Sequence, residues 1–198
     1  MEYDRRTALI VVDVQNDFAD PKGSLYVRGG EEVVAVANRE MAAARAAGAF
    51  FACSQDWHPE TTPHFQKDGG IWPVHCVHDG WGAAFAPGLD VRGAEVIQKG
   101  TGGEDGYSAF TVRDPKSGEP QATRLGSLLK EHDVERVVVI GLATDYCVKD
   151  TALDSLRLGY STTVLAGAVR AVDLQPGDGD RALDAVRAAG GTVVSVAP

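Results

Sequence analysis

Short runs of β-branched and aliphatic residues recur along the chain, and most are followed by a segment with apolar residues at helical spacing. Runs of this length are typical of buried strands, and the longer periodic segments are typical of helices. Alternation of the two builds a parallel sheet with helices on both faces. The pattern predicts six strands, over residues 8–14, 50–54, 95–98, 136–140, 162–165 and 192–196.

Three longer segments between these strands are predicted to be helices, and each stops at a glycine, the residue favoured directly after a helix. The segments cover residues 31–47, 145–158 and 179–189, and the glycines are Gly48, Gly159 and Gly190. With 198 residues, 44% of them hydrophobic, the chain suits one buried core. We therefore expect a single domain over residues 1–198, with a three-layer α/β/α fold around a mostly parallel, doubly wound six-stranded sheet.

Polar side chains lie at the carboxyl ends of four predicted strands. Asp13 lies at the end of the first strand, Asp56 follows the second, Lys99 ends the third, and Cys147 comes shortly after the fourth. Each alone has an ordinary structural role, as a turn cap, a solvated ammonium or a small buried hydrophobe. Because ligands of parallel sheets bind beyond the carboxyl ends of the strands, the four together predict a shared pocket.

A metal site is predicted in the long connection after the second strand. Asp56 and His58 are two residues apart at a strand end, so a carboxylate and an imidazole can share a face. His64 and His75 follow, so three of the five histidines cluster with one carboxylate. A single histidine would be interpreted as a surface residue. The ligand types suit a divalent ion; we favour zinc, with iron and manganese as alternatives.

Cys147 is predicted to lie in the first turn of a helix. There the helix dipole and a nearby Lys99 are expected to lower the pKa of the thiol. The backbone amides of Ala143 and Cys147 are the expected oxyanion donors, and a Thr144 hydroxyl that caps the helix would compete for one of them. Asp13 is the expected general base, because three histidines are assigned to metal.

Two long loops, over residues 55–90 and 100–120, are predicted to be functional because of their length. The first carries the histidine cluster and three tryptophans. The second is glycine-rich and polar. It is predicted to be either a flap whose Tyr107 and Phe110 contact a ligand or a solvated loop.

The charge balance, with 19 basic and 28 acidic residues and a net charge of -9, disfavours nucleic acids and anionic membranes as partners. Three cysteines are too few for a disulfide framework and fit a reducing cytoplasm. The apolar run at residues 8–12 is too short for a signal peptide or a membrane span. We expect a cytoplasmic protein with free thiols, either a monomer or a homodimer.

The motifs, taken together, resemble the nicotinamidase branch of the isochorismatase-like cysteine hydrolases over nearly the whole chain. They are Ala8-Leu-Ile-Val-Val-Asp13-Val-Gln-Asn-Asp17-Phe18, Gly23-Ser-Leu, Asp56-Trp-His58-Pro, Trp72-Pro-Val-His75-Cys76-Val, Lys99-Gly100 and Gly141-Leu-Ala-Thr-Asp-Tyr-Cys147-Val. The resemblance implies a metal-dependent hydrolysis of nicotinamide to nicotinate and ammonia through a thioester, with the analogue pyrazinamide as an alternative substrate. It implies a catalytic triad of Asp13, Lys99 and Cys147, and the metal ligands Asp56, His58, His64 and His75.

The same resemblance implies the substrate contacts. Phe18 and Trp72 match aromatic positions that sandwich a pyridine ring, and Tyr107 and Leu142 are expected beside it. The bond between Leu142 and Ala143 matches a cis peptide that shapes the oxyanion hole.

Alternatives to a nicotinamidase remain open. One is a related cysteine hydrolase that acts on another small amide or on isochorismate, although such relatives generally lack this metal-ligand set. Another is a non-catalytic module in which a metal only stabilises the long loop over residues 55–90. The chain also departs from the family at Gln66, where many members have a hydroxyl residue. His78, a further imidazole close to the histidine cluster, is expected at the surface.

Overall fold

A six-stranded parallel sheet forms the centre of the computed structural model, which describes residues 1–195. In chain order the strands are β1 (Thr7–Val12), β2 (Phe50–Asp56), β3 (Glu95–Lys99), β4 (Thr111–Arg113), β5 (Pro120–Ala122), β6 (Arg136–Leu142), β7 (Ser161–Arg170) and β8 (Thr192–Val194). The large sheet has the order β3-β2-β1-β6-β7-β8, whereas β4 and β5 form a separate antiparallel pair. The strand order reverses between β1 and β6, the position at which such sheets bind ligands.

Five α-helices accompany the strands. They are α1 (Asn16–Ala19), α2 (Val33–Ala46), α3 (Leu125–Glu131), α4 (Lys149–Arg157) and α5 (Asp178–Ala188). Short 3-10 turns occupy Gly30–Glu32 and Gln66–Asp68, and a π-helical turn at Thr144–Val148 leads into α4. Within residues 1–195, no helix combines the length and the apolar character that a membrane crossing requires.

Alternate residues of β1 pack on opposite faces of the sheet. Leu9 and Val11 belong to the same core cluster as Met41 of α2, whereas Ile10 belongs to the cluster that contains Leu129 of α3. Helices α4 and α5 contribute to the second cluster as well. A strand buried on both faces has a continuous apolar sequence, which is why this run was recognisable. The predicted three-layer α/β/α fold with six parallel strands is confirmed.

Element ends differ from the prediction for local reasons. The first strand stops at Val12 rather than residue 14, because Asp13 adopts a left-handed backbone with φ of 46°. The last strand ends at Val194, and the predicted end at Val196 lies outside the described residues. Helix α3 and the β4–β5 pair lacked predicted bounds, since elements of seven and three residues carry little periodicity.

Candidate active site

The carboxyl ends of β1, β2 and β3 bring three charged side chains together. Lys99, the last residue of β3, places its Nζ 2.9 Å from Asp13 Oδ2 and also forms an ion pair with Asp56, the last residue of β2. All three side chains are buried. Burial alone would lower the pKa of Lys99, but Asp13, Asp56 and Cys147 raise it well above its ordinary value. The ammonium is therefore charged at neutral pH.

Cys147 lies beside this charged group. Its Sγ is 3.8 Å from Lys99 Nζ, and ligand atoms of Cys147, Asp13 and Asp56 lie within 4.8 Å of one another. Burial raises the pKa of the thiol well above its ordinary value; Lys99 lowers it, and the two carboxylates raise it further. The predicted lowering of this pKa is therefore wrong, because burial and the carboxylates outweigh the ammonium. The thiol needs a base to remove its proton.

The turn that carries Cys147 is π-helical, spanning Thr144–Val148. Ala143 occupies the cap position, and its carbonyl accepts hydrogen bonds from two amides of the turn at 3.1 and 3.0 Å. Thr144 lies inside the turn rather than at its cap, so the condition under which its hydroxyl would compete for the Cys147 amide is not met. The peptide bond between Leu142 and Ala143 is cis, at the position where the family resemblance implied one.

Ser54 orients Asp13, a contact that sequence reasoning missed. The Ser54 hydroxyl donates to Asp13 Oδ1 at 2.7 Å, and the Asp13 backbone N–H donates to the Ser54 hydroxyl at 3.3 Å. Burial raises the pKa of Asp13 above its ordinary value; Lys99 and the Ser54 hydrogen bond lower it, and Asp56 raises it further. The only signal in the sequence was a hydroxyl residue inside a hydrophobic strand, where it needs a buried partner.

Three buried imidazoles, those of His58, His64 and His75, offer ring nitrogens within 4.8 Å of one another. His75 Nδ1 lies 2.7 Å from the carbonyl oxygen of Pro73, and His64 Nδ1 lies 2.8 Å from Asp105 Oδ1. Both partners only accept, so each Nδ1 carries the proton and each Nε2 keeps its lone pair for a metal. Burial lowers the pKa of His75 to about 4, so this ring is neutral at pH 7.

Asp56 and His58 complete a donor set that fits a divalent metal. Asp56 Oδ2 lies 3.7 Å from His58 Nε2 and 3.9 Å from His75 Nε2. Both ring nitrogens of His58 are buried and have no hydrogen-bond partner among the described residues. Burial of an unpaired polar group is costly, so an imidazole in this position is suited to a cation. One carboxylate and three imidazoles are ligand types that zinc accepts.

Two further residues hold the metal donors in place. The side-chain amide of Gln15 donates to the Asp56 carbonyl at 2.8 Å and accepts the Asp56 N–H at 2.8 Å. Gly100 has φ of 82°, and a Cβ added to it would lie 2.5 Å from His58 Nδ1. Only glycine fits this backbone without displacing the imidazole.

Gln66 and His78 do not join the donors. The Gln66 amide donates to the Ile71 carbonyl at 2.9 Å. His78 is half-exposed and pairs with Asp79.

A pocket connects the thiol with three of the metal-suited side chains. Its lining comprises Cys147, Asp56, His64 and His75 together with Phe18, Leu25, Val27, Trp72, Tyr107, Leu142, Ala143, Tyr146 and Val172. Trp72 Nε1 donates to the Tyr107 hydroxyl at 3.0 Å, so the long loop 100–120 contributes one aromatic wall. Phe110, the other aromatic residue predicted to contact a ligand, is buried in the core instead. The lining suits a small, flat, aromatic ligand.

Several known proteins are similar to this chain in sequence and in fold. The family model of the isochorismatase domain matches residues 7–198. The nicotinamidase of Escherichia coli (strain K12) is 38% identical, over 96% of this chain and 95% of its own. The pyrazinamidase of Pyrococcus horikoshii in complex with zinc has a TM-score of 0.85 and 36% identity, over 96% of this chain and 99% of that chain. PnC1 from L. infantum in complex with nicotinate has a TM-score of 0.86 and 34% identity, over 100% and 99%. The chain belongs to the isochorismatase family.

Proposed function

We propose that this amidohydrolase of the isochorismatase family is a metal-dependent nicotinamidase, which converts nicotinamide and water to nicotinate and ammonia. The observation that carries the proposal is an aromatic-lined pocket shared by the Cys147 thiol and two of the three clustered imidazoles, those of His64 and His75. The relatives support the substrate, since they include a nicotinamidase and a structure with nicotinate.

Binding of the substrate uses the flat aromatic character of the pocket. In our proposal the pyridine ring lies between Phe18 and Trp72, and its carboxamide faces Cys147. A divalent cation held by Asp56, His58, His64 and His75 would supply a Lewis-acidic contact for the ring nitrogen. The Tyr107 hydroxyl supports Trp72 by accepting a hydrogen bond from the indole N–H.

The first half of the reaction forms a thioester. Asp13 takes the proton of the Cys147 thiol as the sulfur attacks the carboxamide carbon. The backbone amides of Ala143 and Cys147 stabilise the resulting oxyanion. Asp13 then gives the proton to the amide nitrogen, the C–N bond breaks, and ammonia leaves. Lys99 offsets part of the effect of burial on the pKa of Asp13 between these steps, because its charge favours the carboxylate.

The second half hydrolyses the thioester. Asp13 accepts a proton from the attacking water and returns it to the sulfur as the C–S bond breaks. The products are the free thiol and nicotinic acid, whose carboxyl proton passes to ammonia or solvent to leave nicotinate. One water has been consumed for each ammonia released. The same carboxylate therefore serves both halves.

Ammonia and nicotinate release from nicotinamide test the proposal. The wild type and Cys53→Ala, a buried thiol on the helix α2 side of the sheet, are expected to be active. Cys147→Ala and Asp13→Asn are expected to lose nearly all turnover. Equal release by all four proteins would contradict the scheme. Full activity after verified removal of the metal would show that the assigned donor set has no role.

A related hydrolase for another small amide is the second candidate, because the same thiol and base would serve any carboxamide. A panel of nicotinamide, pyrazinamide, a carbamoyl amide and isochorismate separates the two. We expect the highest kcat/KM for nicotinamide, with pyrazinamide also accepted.

A further inference from the structure

Asp105, in the loop between β3 and β4, reaches the histidine cluster from outside the pocket. Its Oδ1 accepts hydrogen bonds from His64 Nδ1 and from the Gly106 amide, both at 2.8 Å. Its Oδ2 accepts one from the Arg113 guanidinium at 3.0 Å. Backbone hydrogen bonds in both directions, of 3.0 and 2.5 Å, also join Asp105 to Arg113. The carboxylate is therefore held in one orientation by β4.

The three imidazoles differ in what holds them. His75 is fixed by the carbonyl of Pro73, two residues away in its own loop, and His58 has no hydrogen-bond partner among the described residues. His64 alone is held by a side chain 41 residues distant. The orientation of His64 therefore depends on the position of the loop that carries Asp105.

A second contact joins the same two segments. The Thr62 hydroxyl donates to the Gly103 carbonyl at 3.3 Å, and it accepts the His64 backbone N–H at 3.3 Å. The same loop carries Tyr107, which lines the pocket and accepts the hydrogen bond from Trp72. One loop thus touches both a metal donor and an aromatic wall of the pocket.

We propose that Asp105 is a positioning residue, which holds His64 as a metal ligand and makes metal binding and the ordering of loop 100–110 mutually dependent. The inference rests on the proposed function, because it assumes a divalent ion at the histidine cluster. A carboxylate on the far nitrogen of an imidazole fixes its tautomer and raises its basicity toward a metal. Coupling is reciprocal, so an ion that favours the bound position of His64 also favours the loop position that holds Asp105.

The zinc dissociation constant, measured by competition with a chromogenic chelator, tests the positioning role. Asp105→Asn is expected to raise this constant about 10- to 100-fold. The matched control is Glu104→Gln, which removes the adjacent charge; its carboxylate accepts the Gly102 amide instead of an imidazole, so affinity should stay within about twofold. Wild-type affinity in Asp105→Asn would overturn the inference and leave the proposed function intact. If the wild type bound none of zinc, iron(II) and manganese(II), both would be overturned.

Amide hydrogen exchange of the wild type tests the coupling without any variant. Zinc is expected to slow exchange in residues 100–110 and to leave helix α5, which lies outside the pocket lining, unchanged. In Asp105→Asn the slowing should disappear. The coupling is contradicted if zinc slows amide exchange in loop 55–90, which carries the three histidines, but not in residues 100–110 of the wild type. This outcome does not depend on the activity of the enzyme.

Discussion

Lys99 Nζ and Asp13 Oδ2 form a buried ion pair of 2.9 Å, although their strands β3 and β1 are not neighbours in the sheet. Strand β2 runs between them, and its last residue, Asp56, contacts the same ammonium. One cation therefore neutralises part of the charge of two carboxylates that have different proposed tasks. We propose that Asp13 takes part in the thiol chemistry and that Asp56 takes part in metal binding.

Replacement of Lys99 by Met should damage both activity and stability. The two carboxylates would lose their shared partner, so the pKa of Asp13 would rise and the base would be protonated. Breaking a buried pair typically costs about 3–5 kcal/mol of unfolding free energy, and loss of a catalytic group costs about 1,000-fold or more in turnover. Denaturant unfolding and the ammonia assay measure the two effects. Lys130→Met, at an exposed lysine of α3, is the control. Wild-type turnover in Lys99→Met would contradict this assignment.

Removal of the Ser54 hydroxyl should shift the pH profile of the reaction. A hydrogen bond to a charged group contributes about 1.5–3 kcal/mol, so Ser54→Ala is expected to lower kcat/KM about 10- to 100-fold. The Ser54 hydrogen bond lowers the pKa of Asp13, so its loss raises that pKa. The ionised base is then lost at a higher pH as the solution is acidified, and the acid limb of kcat/KM moves upward.

The control for this prediction is Ser155→Ala. Ser155 is also fully buried and hydrogen-bonded, to the Thr162 hydroxyl at 2.8 Å, but it does not line the pocket. Its removal should change stability without moving the pH profile. An unshifted acid limb in Ser54→Ala would show that the hydroxyl does not tune the base.

Alanine at Gly100 should weaken metal binding through His58. The added Cβ would lie 2.5 Å from His58 Nδ1, so the imidazole must move away from its place among the donors. We expect the zinc dissociation constant to rise at least about tenfold, as for loss of a supporting contact. Gly118→Ala is a matched control, because Gly118 also has a positive φ, of 72°, but meets no atom within 4 Å. Equal zinc affinity in both variants would contradict the steric argument.

Much of the fold followed from the sequence because the central strands β1 and β6 are buried on both faces and therefore appear as uninterrupted apolar runs. The positions of Asp13, Asp56 and Lys99 at strand ends followed from the same pattern, since the carboxyl ends of parallel strands share one edge. The structure brings these residues and Cys147 within contact of one another.

Other parts of the site depend on distances that no local pattern encodes. Asp105 lies 41 residues from His64, and nothing in either segment marks the pairing. The pKa of Cys147 is the sum of burial, one ammonium and two carboxylates, and burial has the largest effect. The prediction from the helix dipole and Lys99 gave the wrong direction because it left out burial and the carboxylates. The π-helical turn at Thr144–Val148 likewise has no signature that distinguishes it from an α-helical start.

The most direct measurement of the central claim is mass spectrometry of the enzyme quenched with acid during turnover of nicotinamide. The account predicts a nicotinoyl group on Cys147 and none on Cys53 or Cys76, which are buried thiols that do not line the pocket. Asp13→Asn should accumulate far less of the adduct than the wild type. Rapid nicotinate production with no acyl group on Cys147, or undiminished production by Cys147→Ala, would contradict a mechanism that proceeds through this sulfur.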